Sequence, residues 1–214
     1  MGASFSGRTA VSKTADQGSI PCAPAHQPLL SKKESTMVSL FKKSRVDCYG
    51  WDELTETKRL LLAVAAEARL KAQAPYSHYL VGVAILSQSG KIYVGCNVER
   101  CSWTQTTHAE QNAIDSMVAA EGSNKIITLG LVARPEGTRI ILPPERDNSF
   151  VTLSQVPVPC GHCLQCIWEN CFNDENVELV ALCPNGQITV TSIDSSFPFK
   201  FGPSDLGVNY SQNR

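Results

Sequence analysis

Helical and strand-like segments alternate along this chain in an order that few folds can accommodate. From Trp51 onward, segments with apolar residues every three or four positions are interleaved with short runs rich in Val, Ile and Leu. We predict, in chain order, a helix, a β-hairpin, a second helix, a strand, a third helix and two further strands. This order predicts an α/β protein, a three-layer α/β/α sandwich around a central mixed sheet of about five strands.

Local signals set the expected boundaries of these elements. The first helix is predicted over 52–73, because Pro75 lies just beyond its last apolar positions. Residues 135–158 are rich in proline and polar residues without a clear period, and we interpret them as a long loop with room for one strand at most. The other predicted elements are hairpin strands over 80–87 and 91–98, a helix from His108 to about 121, a strand over 125–134, a helix over 161–172, and strands over 177–183 and 187–193.

The first 46 residues differ in composition from the rest. Residues 1–46 are rich in Ser, Lys and Arg, carry only two acids and show no periodicity. We predict a flexible N-terminal tail and a single domain over 47–214. "MGASFS" also fits the N-myristoylation pattern, a basic, acid-poor segment is typical of an organelle transit peptide, and Met37 is an alternative start. The sequence leaves these roles open.

The net charge and the cysteine content limit which partners and which cellular compartment we expect for this protein. The formal net charge is −1, which argues against nucleic acid as a partner, because such binding depends on neutralising phosphates. We find no apolar run that predicts a secretory signal or a membrane span. The nine cysteines are then expected to be reduced thiols, acting as metal ligands, catalytic groups or core residues. We expect a cytoplasmic protein that acts on a small or weakly charged substrate.

His108 and Glu110 stand two positions apart where a polar stretch gives way to a helical one. Side chains two apart on a helix point to nearly opposite sides, so the pair can serve one site only at the start of a helix. We therefore place His108 at the N-terminal end of the helix and Glu110 in its first turn. Taken alone, the pair proves little, because a histidine near a helix start is more often a cap or a partly buried side chain with its hydrogen bonds satisfied.

Cys160 and Cys163 follow a proline at the start of another predicted helix. Residues three apart share a helical face, and the amides of a first turn stabilise thiolates. Two thiolates and the imidazole of His108 make three ligands for Zn²⁺, and such a set leaves the fourth position open for water, as in catalytic sites. Glu110 is then the proton carrier beside that water.

Other interpretations of the cysteines also stay open. A lone Cys-x-x-Cys fits a structural zinc half-site or a redox pair. Cys166 and Cys171 extend the pattern toward an iron–sulfur run, although the last gap is one residue too long and no proline follows.

The combination of His-x-Glu with Pro-Cys-x-x-Cys is the known signature of zinc deaminases that act on cytosine or adenine. From about residue 52 to 206 the chain resembles the cytidine deaminase family, in its free-nucleoside branch. The segments that carry the resemblance, besides "PCGHC", are "APYSHYLVGVAIL", "GCNVERCSW", "HAEQNAI" and "FPFKFGPSDL".

The resemblance implies further residue roles. Asn97 and Glu99 match the family's ribose-binding pair, which implies a pyrimidine nucleoside as substrate, although Arg100 beside them could instead contact a phosphate. Backbone groups around Ala109 and Cys160 are implied to hold the polar edge of the base, and Tyr79, a further predicted substrate residue, replaces the family's phenylalanine. Phe201 matches an aromatic residue that closes the pocket, in some members across a subunit interface, and it fits a plain core residue as well. A homodimer or homotetramer is implied.

The expected reaction is zinc-dependent hydrolytic deamination of cytidine and deoxycytidine to uridine and deoxyuridine with release of ammonia, as in pyrimidine salvage. Two departures from the family's pattern bear on the substrate. The segment 135–158 makes the gap between the two halves of the metal motif about twenty residues longer than usual, and Leu164 replaces the usual arginine. They keep open a different cytosine-containing substrate, such as a blasticidin S-like antibiotic, a nucleotide or a base in RNA or DNA. A non-enzymatic zinc-binding module is a second alternative.

Overall fold

A six-stranded mixed sheet organises the chain. The computed structural model describes residues 42–208 apart from 146, 148 and 150, so nearly all of the predicted tail lies outside the described residues. The strand order is β1-β6-β5-β4-β2-β3, in which β4 and β5 pair in parallel and the other neighbours are antiparallel. The strands are β1 Val46–Tyr49, β2 Tyr79–Ser87, β3 Ile92–Cys96, β4 Ile126–Pro135, β5 Glu178–Leu182 and β6 Ile188–Ser192.

Helices cover both faces of this sheet. They are α1 Glu56–Arg69, α2 Ala109–Glu121, α3 Gly161–Glu169 and the short α4 Ile193–Ser196. Short 3-10 turns occupy Trp51–Glu53, Leu153–Gln155 and Pro203–Leu206. Leu61 and Leu62 of α1 pack on Val132 on one face, whereas residues of α2 and α3 pack on Leu129 on the other. The predicted three-layer α/β/α sandwich is therefore confirmed.

The sheet has one strand more than the five expected. β1 pairs with β6 and begins at Val46, the last residue of the predicted tail. Its four residues carry no clear alternation, and only pairing with a strand far along the chain makes them a strand. The helices are also shorter than predicted: Thr55 caps α1, accepting a hydrogen bond from the Lys58 amide, and α3 ends at Glu169. No strand occurs among the described residues of 136–158.

Two glycines let the helices lie directly on the strands. A Cβ atom at Gly82 would lie 2.0 Å from the carbonyl oxygen of Ala65 in α1. A Cβ atom at Gly95 would lie 2.3 Å from the carbonyl oxygen of Ala109 and 2.4 Å from the amide nitrogen of Ala113, both in α2. Such contacts are too close for any side chain, so glycine at 95 fixes how near the start of α2 comes to β3.

The described cysteines form no disulfide: all eight of them carry free thiols. Among the described residues, no helix has both the length and the apolar character that crossing a bilayer requires.

Candidate metal centre and substrate pocket

The starts of α2 and α3 meet on one side of the sheet. His108 is the N-cap residue of α2 and Cys160 that of α3, and both have extended backbone angles. The amide of His108 donates to Oε1 of Gln111 at 3.2 Å, and the amide of Leu164 donates to the carbonyl of Cys160 at 2.8 Å. These local hydrogen bonds fix the direction in which the chain enters α2 and α3.

The three predicted ligands converge between these helix starts. Nδ1 of His108 lies 3.5 Å from Sγ of Cys160 and 3.2 Å from Sγ of Cys163. The donor atoms all lie within 4.8 Å of one another. Tetrahedral Zn²⁺ with bonds of about 2.0 Å to nitrogen and 2.3 Å to sulfur needs ligand separations of roughly 3.5–3.8 Å. The observed spacing fits zinc, and among the described residues Cys166 and Cys171 do not join the group.

Glu110 lies directly beside the three predicted ligands and outside the group of donor atoms. It is only 6% exposed, and Sγ of Cys163 donates to its Oε2 at 3.4 Å. Burial, together with the nearby Glu110 carboxylate, raises the pKa of the Cys163 thiol. A thiolate at this position therefore requires a compensating cation, which is what a zinc ion provides.

A second polar link joins the two helix starts. Nε2 of Gln111 lies 2.8 Å from Nε2 of His162, which directly precedes Cys163. Gln111 thus contacts the His108 amide with the oxygen of its side chain and the first turn of α3 with the nitrogen. The sequence prediction gave neither residue this contact.

A pocket of about 360 Å³ opens above this centre. Such a volume lies within the usual range for small-molecule sites. His108, Ala109 and Glu110 line the pocket together with Asn97 and Glu99, so residues predicted from two separate segments share one cavity. The rest of the lining comes from Tyr79, Val81, Trp103, Thr106, Leu131, Ala133, Pro157 and Val158.

Main-chain groups hold Asn97 and Glu99 in fixed orientations. Oδ1 of Asn97 accepts from the amide of Val81, and its Nδ2 donates to the carbonyl of Tyr79, both at 2.9 Å. Oε2 of Glu99 accepts from the amides of Tyr76 and Ser77 at 3.0 and 3.1 Å.

Glu99 is held as a carboxylate although it is only 4% exposed. Burial alone would raise its pKa, but hydrogen bonds from the Ser77 side chain and from the amides of Tyr76 and Ser77 outweigh burial and leave the pKa below its ordinary value. A buried carboxylate with one oxygen uncommitted to these amides suits a hydroxyl donor in the pocket.

Of the two remaining predicted substrate residues, one lines the pocket and the other does not. Tyr79 is partly exposed and lines the pocket. Phe201 is 60% exposed and does not line it; its carbonyl accepts from Nε2 of Gln165 at 3.0 Å. Arg100 also stays outside the lining, and its Nη1 donates to the carbonyl of Glu99 at 3.3 Å.

Several pocket residues were not predicted from the sequence. Leu131 and Ala133 alternate along β4, so period-two patterning could have placed them on the face that carries α2. Trp103 adopts a left-handed φ of 52°, unusual for a bulky residue, and its ring lies 5.6 Å from that of Tyr76. No local signal predicts this position. Pro157 and Val158 come from the end of the segment 135–158, which the sequence predicts to be an insertion.

Comparison with known proteins agrees with this geometry. Residues 55–178 match the family of the cytidine and deoxycytidylate deaminase zinc-binding region. Cytidine deaminase of Sporosarcina psychrophila is 34% identical over 147 residues, which cover 68% of this chain and 92% of that protein. The cytidine deaminase of Halalkalibacterium halodurans is 30% identical over 149 residues, covering 70% of this chain and 97% of that protein.

A solved structure shows the same relationship. The 1.6 Å crystal structure of cytidine deaminase from Burkholderia pseudomallei is 28% identical and superposes with a TM-score of 0.52, covering 69% of this chain and 100% of that chain. The matched family region contains all three donor residues and Glu110. The cofactor of this chain is zinc, as predicted.

Proposed function

This chain belongs to the cytidine deaminase family, and we propose that it converts cytidine and deoxycytidine to uridine and deoxyuridine with release of ammonia. One observation carries the proposal: His108, which belongs to the group of three zinc donors, and Glu110 line the same pocket as Asn97 and Glu99. A metal centre and a hydroxyl-binding pair in the same cavity suit a molecule that joins a reactive base to a sugar.

His108, Cys160 and Cys163 hold the metal in this proposal. When bound, zinc lowers the pKa of water in its open position, so that hydroxide is available near neutral pH. Two thiolates and one neutral imidazole offset the charge of Zn²⁺, and the glutamine at 111 therefore suffices where a cation would otherwise be needed.

Glu110 moves the protons. Its buried carboxylate takes a proton from the attacking water and delivers it to N3 of the base as the oxygen adds at C4. It then takes the second proton from the hydroxyl on C4 and delivers it to the departing amine as the C4–N bond breaks. The contact with Cys163 Sγ supports this role, because it places the carboxylate next to the metal ligands without using it as one.

The pocket favours a nucleoside over a nucleotide. Glu99 is held as an anion by two main-chain amides, and a fixed carboxylate attracts ribose hydroxyls and repels phosphate. Arg100, which could have paired with a phosphate, lies outside the lining and contacts the main chain instead. Ala109 and Tyr79 complete the surroundings of the base and sugar.

The organisation of the molecule is part of the proposal. We assign residues 1–46 to a flexible tail and 47–214 to the deaminase domain, whose first strand takes one residue from the tail. A homodimer or homotetramer is supported by the exposed apolar C-terminal segment around Phe199, Phe201 and Leu206, which a partner subunit would cover. We place the protein in the cytoplasm, in pyrimidine salvage.

A substrate panel tests the assignment. The zinc-loaded protein is incubated with cytidine, deoxycytidine, cytosine, CMP, blasticidin S and oligonucleotides, and ammonia release is measured. We expect the two nucleosides to give the highest kcat/KM, because they fill both ends of the pocket, carry no phosphate and have no bulky group on the sugar. Faster turnover of CMP or of blasticidin S would replace the nucleoside assignment, and ammonia from none of them would favour a non-enzymatic zinc module.

A further inference from the structure

Two buried arginines lie on the face of the sheet opposite the metal centre. Arg69, the last residue of α1, is 1% exposed, and Arg134 in β4 is 9% exposed. Arg134 alternates with Ala133, which lines the catalytic pocket, so its side chain emerges on the α1 face. No acidic side chain within the described part of the chain forms an ion pair with either arginine.

Both arginine side chains donate hydrogen bonds to main-chain carbonyls. Nη2 of Arg69 donates to the carbonyls of Pro135 at 2.7 Å and Arg134 at 3.2 Å. The Arg134 guanidinium donates to the carbonyls of Ala133 at 2.7 Å and Leu182 at 3.0 Å. Nε of Arg69 is buried and has no partner among the described residues.

These contacts leave a surplus of positive charge and of donors. A guanidinium has five N–H groups, and neutral carbonyls offset a buried cation only in part. Burial lowers the pKa of both arginines, and in Arg134 the charge of Arg69 adds to this effect. An anion beside Arg134 would relieve the imbalance.

A cavity of about 190 Å³ adjoins Arg134. We call it the rear cavity and define it by Arg134, Thr138, Arg139, Glu145 and Cys183. Its floor lies where β4 and β5 end, and these strands are the parallel pair of the sheet. Crevices outside the carboxyl ends of parallel strands are the usual ligand positions in open α/β sheets.

The inserted segment builds one wall of the rear cavity. Thr138, Arg139 and Glu145 all belong to it, and Nη1 of Arg69 donates to the carbonyl of Thr138 at 3.3 Å. Further along, the amide of Asp147 donates to the carbonyl of Asn185 at 3.0 Å, which ties the insertion to the turn between β5 and β6. The lining thus presents two guanidinium groups against a single carboxylate.

We propose that the rear cavity binds a phosphate-sized anion, held by Arg134 and Arg139. The planar guanidinium matches phosphate oxygens in a bidentate geometry. The volume is below that of common small-molecule pockets, so the anionic group enters and any attached moiety stays outside. The ligand is free phosphate or a phosphoryl group of a nucleotide, and it binds at a site separate from the zinc.

Thermal unfolding of the zinc-loaded full chain tests the proposal. The Tm is measured against inorganic phosphate, with chloride keeping the ionic strength constant and saturating uridine occupying the catalytic pocket. We expect a saturable rise in Tm, because a ligand that binds the folded state stabilises it by mass action. Titration calorimetry gives the affinity for phosphate and, in a second arm, for CTP; tighter CTP binding identifies a nucleotide as the source, and equal binding identifies free phosphate.

Substitutions locate the anion. Arg139→Gln, an exposed change, should weaken phosphate binding at least about tenfold, by loss of one charge-assisted contact, and Arg134→Gln should abolish it. Arg45→Gln, at an exposed arginine next to β1, is the matched control and should bind phosphate like the wild type. The proposal is overturned by a wild-type Tm that phosphate leaves unchanged, by unaltered affinity in Arg139→Gln, or by displacement of phosphate by uridine. If Arg134→Gln does not fold, the phosphate affinity of Arg139→Gln alone tests the proposal.

Discussion

Sγ of Cys163 and Oε2 of Glu110 lie 3.4 Å apart, although they belong to different helices. One of these residues is proposed to hold the metal and the other to carry protons. Their contact exists because α2 and α3 begin at the same place on the sheet. The two roles can be separated experimentally by changing each side chain alone.

Glu110→Gln should abolish most turnover and leave zinc in place. The amide has nearly the same size as the carboxylate and leaves all three ligands untouched, but it cannot accept a proton from water. Loss of a general acid–base group costs roughly 10²–10⁴-fold in rate, and we expect the upper end because one carboxylate serves several transfers. Measured kcat and zinc content check this, with the exposed Glu67→Gln in α1 as control. A near-wild-type kcat at full zinc occupancy would mean that Glu110 carries no protons and is only a charged residue in the first turn of α2.

Cys163→Ala should lose zinc and much of the stability. The metal joins the starts of two helices, so its binding energy is also folding energy. Elemental analysis and thermal unfolding, with and without a chelator, measure both effects. Cys171→Ala is the matched control, since that thiol is also buried in the apolar core but lies outside the donor group; it should keep about one zinc per chain. Stoichiometric zinc in Cys163→Ala would refute the ligand assignment.

Glu99→Gln should raise KM for cytidine with little change in kcat. The variant amide oxygen can still accept from Tyr76 and Ser77, but the charge that binds a ribose hydroxyl is lost, at a cost of about 1–3 kcal/mol. Steady-state kinetics with cytidine and with cytosine separates the ribose contribution, because cytosine has no sugar. Arg100→Gln should leave KM for cytidine unchanged. If instead Arg100→Gln weakened CMP turnover and Glu99→Gln had no effect, the nucleotide interpretation would hold.

The metal centre was more accessible to sequence reasoning than the pocket around it. His108 and Cys160 were placed at helix starts because a change of periodicity and a proline mark those positions locally, and the structure makes each an N-cap. Trp103 and Val158 also line the pocket, but they sit in loops whose paths depend on tertiary contacts. Phe201, predicted by resemblance, lies outside the lining of this single chain.

The sheet shows the same contrast. The hairpin of β2 and β3 was predicted because Gly90 and its neighbours form a recognisable turn between two apolar runs. β1 was missed because its register is set by β6, more than a hundred residues away, and four residues offer too short a pattern for periodicity to detect. The edge strand β1 therefore forms only through pairing with a strand that is distant in the sequence.

Glu121→Gln should destabilise the protein in a way that depends on pH. Hydrogen bonds from Ser89 above all, with further ones from Lys91 and Asn124, outweigh burial and hold the pKa of Glu121 at about 2, against an ordinary value of 4.5. A depressed folded-state pKa contributes stability above the unfolded pKa and loses it as the pH falls through the folded pKa. The difference in unfolding free energy between wild type and variant should therefore shrink from pH 4.5 towards pH 2. Denaturant titrations at several pH values measure it, and a constant difference would contradict the assignment.

Gly95→Ala should disturb the metal centre through the backbone. The added methyl would meet the Ala109 carbonyl and the Ala113 amide, groups that cannot rotate away, so the start of α2 must shift, at a cost of about 1–3 kcal/mol. We expect a lower Tm and weaker zinc binding. Gly82→Ala is the control: it clashes with α1 on the other face, so it should lower Tm while zinc affinity stays at the wild-type level. Equal zinc affinity in the two variants would contradict this coupling.

The inserted segment has a consequence for how the chain can vary in length. Zinc held by the proposed ligands His108 and Cys160 would close a loop of about fifty residues, and residues 135–158 lie inside that loop. The entropy lost on closing a flexible loop grows only with the logarithm of its length, about 0.6 kcal/mol for each doubling. Lengthening this segment by about twenty residues, as the sequence comparison with the family's pattern predicts, would therefore cost less than this amount. The segment 135–158 can therefore vary in length and acquire new surfaces at little entropic cost, whereas α2 and β4, which precede it, are held by their packing in the core.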